Sequence, residues 1–177
     1  MKNRGVITLV FDDGYHAVYD EVLPLLTQYN VRAVFAVPTE VDTIAGEKVA
    51  PYSAWLAAAK KYGHEIAAHS ITHADLTTLS DSDLLEELIN PAQELSAKTL
   101  VYPGGAHNDH IVDTAKKFYT AGRTVLHGLE SLPPENPMRL HTINFTKQNF
   151  SVLRANIHAL RAFVQNKWLI ETYHMVS

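Results

Sequence analysis

Four short stretches of this chain hold residues whose types and spacing could do chemistry. In Thr8-Leu9-Val10-Phe11-Asp12-Asp13-Gly14, two adjacent carboxylates close an apolar run. Gly14 can take backbone angles closed to other residues, so a sharp turn there could bring both acids to one mouth. Two ionised carboxylates that close repel each other and lack solvation, and a cation beside them relieves both costs. The plain alternative is that Asp12 or Asp13 caps the next helix. In His69-Ser70-Ile71-Thr72-His73, two imidazoles four apart would share one face of a helical turn and could reach one metal ion. Alone, they could equally be unrelated residues beside a cap. In Val101-Tyr102-Pro103-Gly104-Gly105, the glycines after the proline leave backbone N–H groups free to donate to an anion, or form a simple turn. His174, structural if isolated, could protonate a leaving group if it stood beside a metal and an acid pair.

Each stretch needs an element to place it, and each follows an apolar run of strand character. Val6, Ile7, Leu9, Val10 and Phe11 read as a strand buried on both faces. Residues 31–37, 64–69, 100–102, 124–126, 140–145 and 168–173 read as six more. Helical spacing covers 17–29, with Pro24 as a kink, and 51–62. A third helix begins at Ser80, its capping box carrying Asp83 and its apolar face running until Pro91 bends or breaks it. Another follows Asn108 towards Gly122, and the last spans 150–164 with Leu153, Ile157, Leu160 and Val164 inward. Residues 39–51 and 130–137 read as loops. Strand and helix alternate about seven times, which argues for a parallel α/β protein, either barrel or open sheet. In both, the carboxyl ends of the strands gather at one rim, where sites form. An aspartate and two histidines there would supply the three protein ligands typical of a catalytic zinc-like site.

Composition narrows the class. With 177 residues, one sizeable core and a single domain over 1–177 are expected. A net charge of −4 without blocks of like charge argues against nucleic acid as a partner. The chain has no cysteine, which removes disulfides and thiolate metal sites, and no apolar stretch long enough to span a bilayer. If Met1 is the natural start, no room remains for a signal peptide and the protein is cytoplasmic; a chain trimmed from a precursor would be extracytoplasmic. Ten histidines are the one compositional oddity.

Taken together and in order, the four stretches resemble the polysaccharide deacetylase family, the carbohydrate esterase family 4-like proteins that share the NodB homology domain. T-L-V-F-D-D-G is similar to that family's first motif and H-S-I-T-H to its second, H-[ST]-x-x-H, with G-H-E-I-A-A resembling the approach to it. Y-P-G-G resembles a variant third motif, and T-Y-H the motif carrying the catalytic histidine.

The resemblance implies a distorted (β/α)7-type barrel and a metal-dependent hydrolase that removes acetyl from an N-acetylated sugar or polysaccharide. It implies that Asp13, His69 and His73 hold one divalent metal, zinc foremost, with Co2+, Ni2+ or Mn2+ also able to serve. Asp12 would be the base that takes a proton from the metal-bound water. His174 would be the acid for the departing amine, and Gly104 N–H a donor to the oxyanion. Both a deprotonated base and a protonated acid are then needed, so the pH dependence should be bell-shaped. Tyr102, Gly105 and Tyr173 are the residues expected to line the sugar site, with Tyr15 and His107 nearby; core packing is the plain explanation of the tyrosines. This chain departs from the family in having Val101 where the third motif begins with arginine, and Arg139 is the expected substitute. It has no evident aspartate–tryptophan motif, and it ends three residues after His174, where the family commonly adds a helix. The rival readings are a hydrolase of another linear or cyclic amide, such as an imide or ureide, and a silent carbohydrate-binding domain.

Overall fold

The expected parallel strands close on themselves. In the computed structural model, which describes residues 5–174, they are β1 (Val6–Phe11), β2 (Val34–Val37), β5 (Glu65–Ala68), β6 (Thr99–Val101), β7 (Ala121–His127), β8 (Leu140–Asn144) and β9 (Trp168–Tyr173). They form a closed barrel in the order β1-β2-β5-β6-β7-β8-β9. Closure rests on the parallel pairing of the first strand with the last, in register from Val6 opposite Trp168 to Phe11 opposite Tyr173. Two short strands, β3 (Thr43–Ile44) and β4 (Glu47–Lys48), make a hairpin inside the segment expected to be a loop. The start at Met1 and the point where a closing helix would follow lie outside the described residues.

Side chains on a strand alternate between faces, so the barrel carries two apolar layers. Val10, Ala36, Ala67, Val101, Leu140 and Ile170 fill its interior. Phe11, Phe35, Val37, Ile66 and Leu100 face outward and pack against the helices, with Trp55, Leu84, Leu88 and Ile111. The helices are α1 (Leu23–Gln28), α2 (Tyr52–Tyr62), α3 (Asp81–Glu94), α4 (Asp109–Ala115) and α5 (Val152–Gln165). Ser80, Asn108 and Ser151 cap α3, α4 and α5 by accepting from the N–H groups of Asp83, Ile111 and Arg154. No helix among the described residues is long and apolar enough to cross a membrane.

Pro24 lies inside a helical run over 16–28, as expected, and that run is distorted by a π-helical turn just before it, over Val18–Val22. Two other expectations about helices are corrected. Pro91 does not end α3, which runs on to Glu94 because Leu84, Leu88 and Pro91 itself are buried on one face. The last helix is turned about its axis relative to expectation. Leu153, Ile157, Leu160 and Val164 face solvent, with Leu153 71% and Leu160 62% exposed, while Ala162 and His158 are buried. Close approach decides this: a Cβ on Gly5 would lie 2.3 Å from the Ala162 carbonyl oxygen. Only the alanine side of α5 is thin enough to seat there. Leu160→Lys should therefore change unfolding free energy by less than about 0.5 kcal/mol, whereas Ala162→Leu should cost about 1–3 kcal/mol in denaturant titration.

Strand β9 carries a charged side chain into the outer layer. Glu171 on β9 is buried, its Oε1 has no hydrogen-bond partner among the described residues, and its Oε2 accepts from the Tyr173 hydroxyl at 3.0 Å. Burial raises its pKa above the ordinary 4.5, partly offset by that hydrogen bond. The native state therefore holds this proton more tightly than the unfolded chain. Its stabilising contribution is complete below the ordinary value and is lost as pH rises through the folded value. Glu171→Gln should remove that slope and raise the melting temperature at pH 7; an unchanged pH profile of melting would refute the assignment.

Candidate metal centre and active site

Strand β1 delivers two carboxylates to the rim. The Asp12 N–H continues the β1–β9 ladder, donating to the Tyr173 carbonyl at 2.9 Å, and Asp13 then turns into the left-handed region at φ 68°. Both are buried. His69 follows β5, and its Nδ1–H donates to the Val101 carbonyl at 2.8 Å, which turns Nε2 towards Asp13 Oδ1 at 3.2 Å. His73 Nε2 reaches the same oxygen at 3.2 Å. The two histidines do not share a helical turn as their spacing suggests. Ser70 and His73 adopt φ of 62° and 59°, and Ser70 Oγ accepts the His73 N–H at 2.9 Å. A folded-back loop replaces the helix and brings the rings to 4.8 Å, edge to face.

This donor set fits a cation. One ligand atom from each of Asp13, His69 and His73 lies within 4.8 Å of the others. With Nδ1 of His69 committed to a carbonyl, the neutral ring points a lone pair at a carboxylate oxygen, and only a proton or a cation between them relieves that. Burial opposes ionisation of Asp13, but hydrogen bonds from His69 and His73, with the pull of His69 and His174, hold its carboxyl well below the usual range. A carboxylate with two imidazoles is a ligand set suited to zinc and its neighbours.

Asp12 sits between Arg123 and His174. Its Oδ2 accepts from Arg123 Nη2, in a pair whose side chains are 5% and 4% exposed. His174 Nε2 stands 3.5 Å from the same oxygen. Oδ1 of Asp12 is buried and has no hydrogen-bond partner among the described residues. The guanidinium therefore comes from Arg123 and not from Arg139, which pairs with Asp109 at 2.5 Å. Arg123 and Val101 are opposite each other in the β6–β7 register, so the arginine has moved sideways by one strand at the same height. Its strand begins at Ala121, three residues before the stretch 124–126 expected from the sequence. Extended back to Ala121, the alternation places Ala121 and Arg123 inside the barrel.

The remaining site residues are held as follows. The turn Pro103–Gly105 follows β6, with Gly104 exposed at φ 59°. Gly105 is buried at φ 74°, where a Cβ would lie 2.4 Å from Val125. Tyr102 is fully buried; its hydroxyl donates to the Met138 carbonyl at 3.1 Å and its ring stacks on His107 at 5.4 Å. Tyr173 is stacked between Phe11 and Phe145, with its hydroxyl on Glu171. Both tyrosines are thus engaged in packing.

The profile of the polysaccharide deacetylase family, described as polysaccharide deacetylase, matches residues 1–121. The chain belongs to this family. Peptidoglycan-N-acetylmuramic acid deacetylase PdaC of Bacillus subtilis is 35% identical over 117 residues, covering 62% of this chain and 23% of that protein. A chitooligosaccharide deacetylase of Sinorhizobium fredii is 27% identical over 129 residues, covering 68% and 55%. Among solved structures, Streptococcus pyogenes deacetylase PplD superposes with a TM-score of 0.73 at 23% identity, over 88% of this chain and 69% of that one. That likeness establishes the polysaccharide deacetylase barrel fold. This chain spans 14% of a Pseudobutyrivibrio xylanivorans xylanase/deacetylase and 23% of PdaC, so it matches a part of those relatives.

Removing Arg123 would leave Asp12 buried and unpaired. Arg123→Ala should cost about 3–5 kcal/mol in denaturant unfolding. Val101→Arg in that background should recover part of the loss, since the neighbouring strand presents its side chain at the same level. A second variant no more stable than the first would contradict the lateral displacement.

Proposed function

We propose that this chain is a metal-dependent deacetylase that hydrolyses the acetamido group of an N-acetylated sugar or polysaccharide, the whole chain acting as one catalytic domain. The observation that carries this reading is the convergence of Asp13, His69 and His73 on one point, with Asp12 and His174 3.5 Å apart beside it. Family membership and the named activities of PdaC and the chitooligosaccharide deacetylase support the substrate class.

Asp13, His69 and His73 would hold one divalent ion, zinc foremost. When bound, that ion supplies Lewis-acid polarisation of the amide carbonyl and activation of water. Asp12 is the base: Arg123 and His174 occupy its Oδ2 side, so the unpartnered Oδ1 is the atom that takes the proton. Arg123 fixes the plane of that carboxylate from inside the barrel. His174, partly exposed at the end of β9, is placed to give a proton to the amine nitrogen as the C–N bond breaks. The exposed Gly104, whose left-handed turn carries no side chain, offers a backbone N–H to the oxyanion.

Acetate release from acetylated chitooligosaccharides, measured with the zinc-loaded chain, tests this. Asp12→Asn and His174→Ala should each lower kcat by about 10²–10⁴-fold while the fold persists, and removal of the metal by a chelator should abolish turnover until zinc is returned. Turnover of small cyclic imides with no acetate release would favour the other amide hydrolase. No turnover of either by a zinc-loaded, folded chain would leave the binding-domain reading and overturn the deacetylase.

A further inference from the structure

The loop that carries the two metal-facing histidines is gripped from behind by a carboxylate outside every motif. Glu87 lies on the buried side of α3, in phase with Leu84, Leu88 and Pro91, and is 8% exposed. Its Oε2 accepts from the backbone N–H groups of Ile71 at 2.7 Å and Thr72 at 3.0 Å. Its Oε1 accepts from the Thr72 hydroxyl at 2.6 Å. None of the ion pairs among the described residues includes it. The two oxygens of this buried charge are therefore balanced by donors from the stretch between His69 and His73.

That stretch needs such a grip. Ser70 and His73 both hold left-handed backbone conformations, which are costly for a non-glycine residue. Conformations of that kind persist only where their surroundings over-determine them. Ser70 Oγ closes the loop from within, on the His73 N–H, and Glu87 closes it from α3. Without the carboxylate, the N–H groups of Ile71 and Thr72 would lose their partner, and the loop would be free to relax towards commoner angles that swing His73 away from Asp13.

We propose that Glu87 is a positioning residue of the metal centre: by fixing Ile71 and Thr72 it sets the separation of His69 and His73, and so the affinity for the ion. This rests on the metal reading given above. Geometry, not charge, carries the effect. A glutamine there keeps the shape, because its carbonyl oxygen can accept both N–H groups and its amide can donate to a Thr72 hydroxyl turned to accept.

Zinc affinity by chelator competition and the visible spectrum of the Co2+-loaded chain, with melting of the metal-free protein alongside, test this. Glu87→Ala should weaken zinc binding by about 10–100-fold and alter the Co2+ bands, Glu87→Gln should stay within about threefold of wild type, and Thr72→Val should lose about fivefold. Glu87→Ala that lowers the metal-free melting temperature yet binds zinc as tightly as wild type would make Glu87 merely structural and overturn the proposal. If Glu87→Ala does not fold, Thr72→Val with unchanged zinc affinity overturns it equally. Wild-type protein that binds no zinc would instead refute the metal reading itself.

Discussion

Asp13 imposes the constraint that the rest of the structure answers. It is a buried carboxylate held ionised, at the end of a strand where no bulk water can solvate it. Burial of such a charge is tolerable only with partners in place, and those partners are imidazoles from a strand on the far side of β2. Every neighbouring feature serves that meeting. The Val101 carbonyl chooses the tautomer of His69, Ser70 and Glu87 hold the loop, and the left-handed turn at Asp13 aims the carboxylate. The barrel is the frame that makes these four contributions coincide.

The second charge pair shows which feature of the family pattern is physical and which is a matter of position. What Asp12 needs is a guanidinium on its Oδ2 side, at a given height inside the barrel. A closed parallel barrel offers that height on every strand. Arg123 on β7 reaches it as well as an arginine at Val101 on β6 could, because the two positions are directly paired. A motif written along the chain cannot express that equivalence; a register can.

Strand sites and chemical residues were legible in the sequence because both depend on local pattern: apolar runs for β1 and β9, and acids or histidines immediately after them. The barrel itself came from the family resemblance, since alternation alone does not choose between an open sheet and closure. Arg123 escaped because its strand was read too short, which hid the two-residue phase shared with Ala121. Glu87 escaped because a charged residue was not expected among Leu84, Leu88 and Pro91, although its spacing put it there. For α5 the fault lay in energetics. Its apolar stripe invited an inward reading, but the backbone of Gly5 leaves room beside it only for alanine.

The pairing of β1 with β9 has a temporal side. Asp12 is made long before His174, and the Phe11–Tyr173 register sets them next to each other. A ribosome-bound chain still lacking β9 has neither His174 nor a seam to shut the cylinder. Barrel closure is thus withheld until synthesis has passed β9, and a fragment ending short of it would leave β1 without its partner strand.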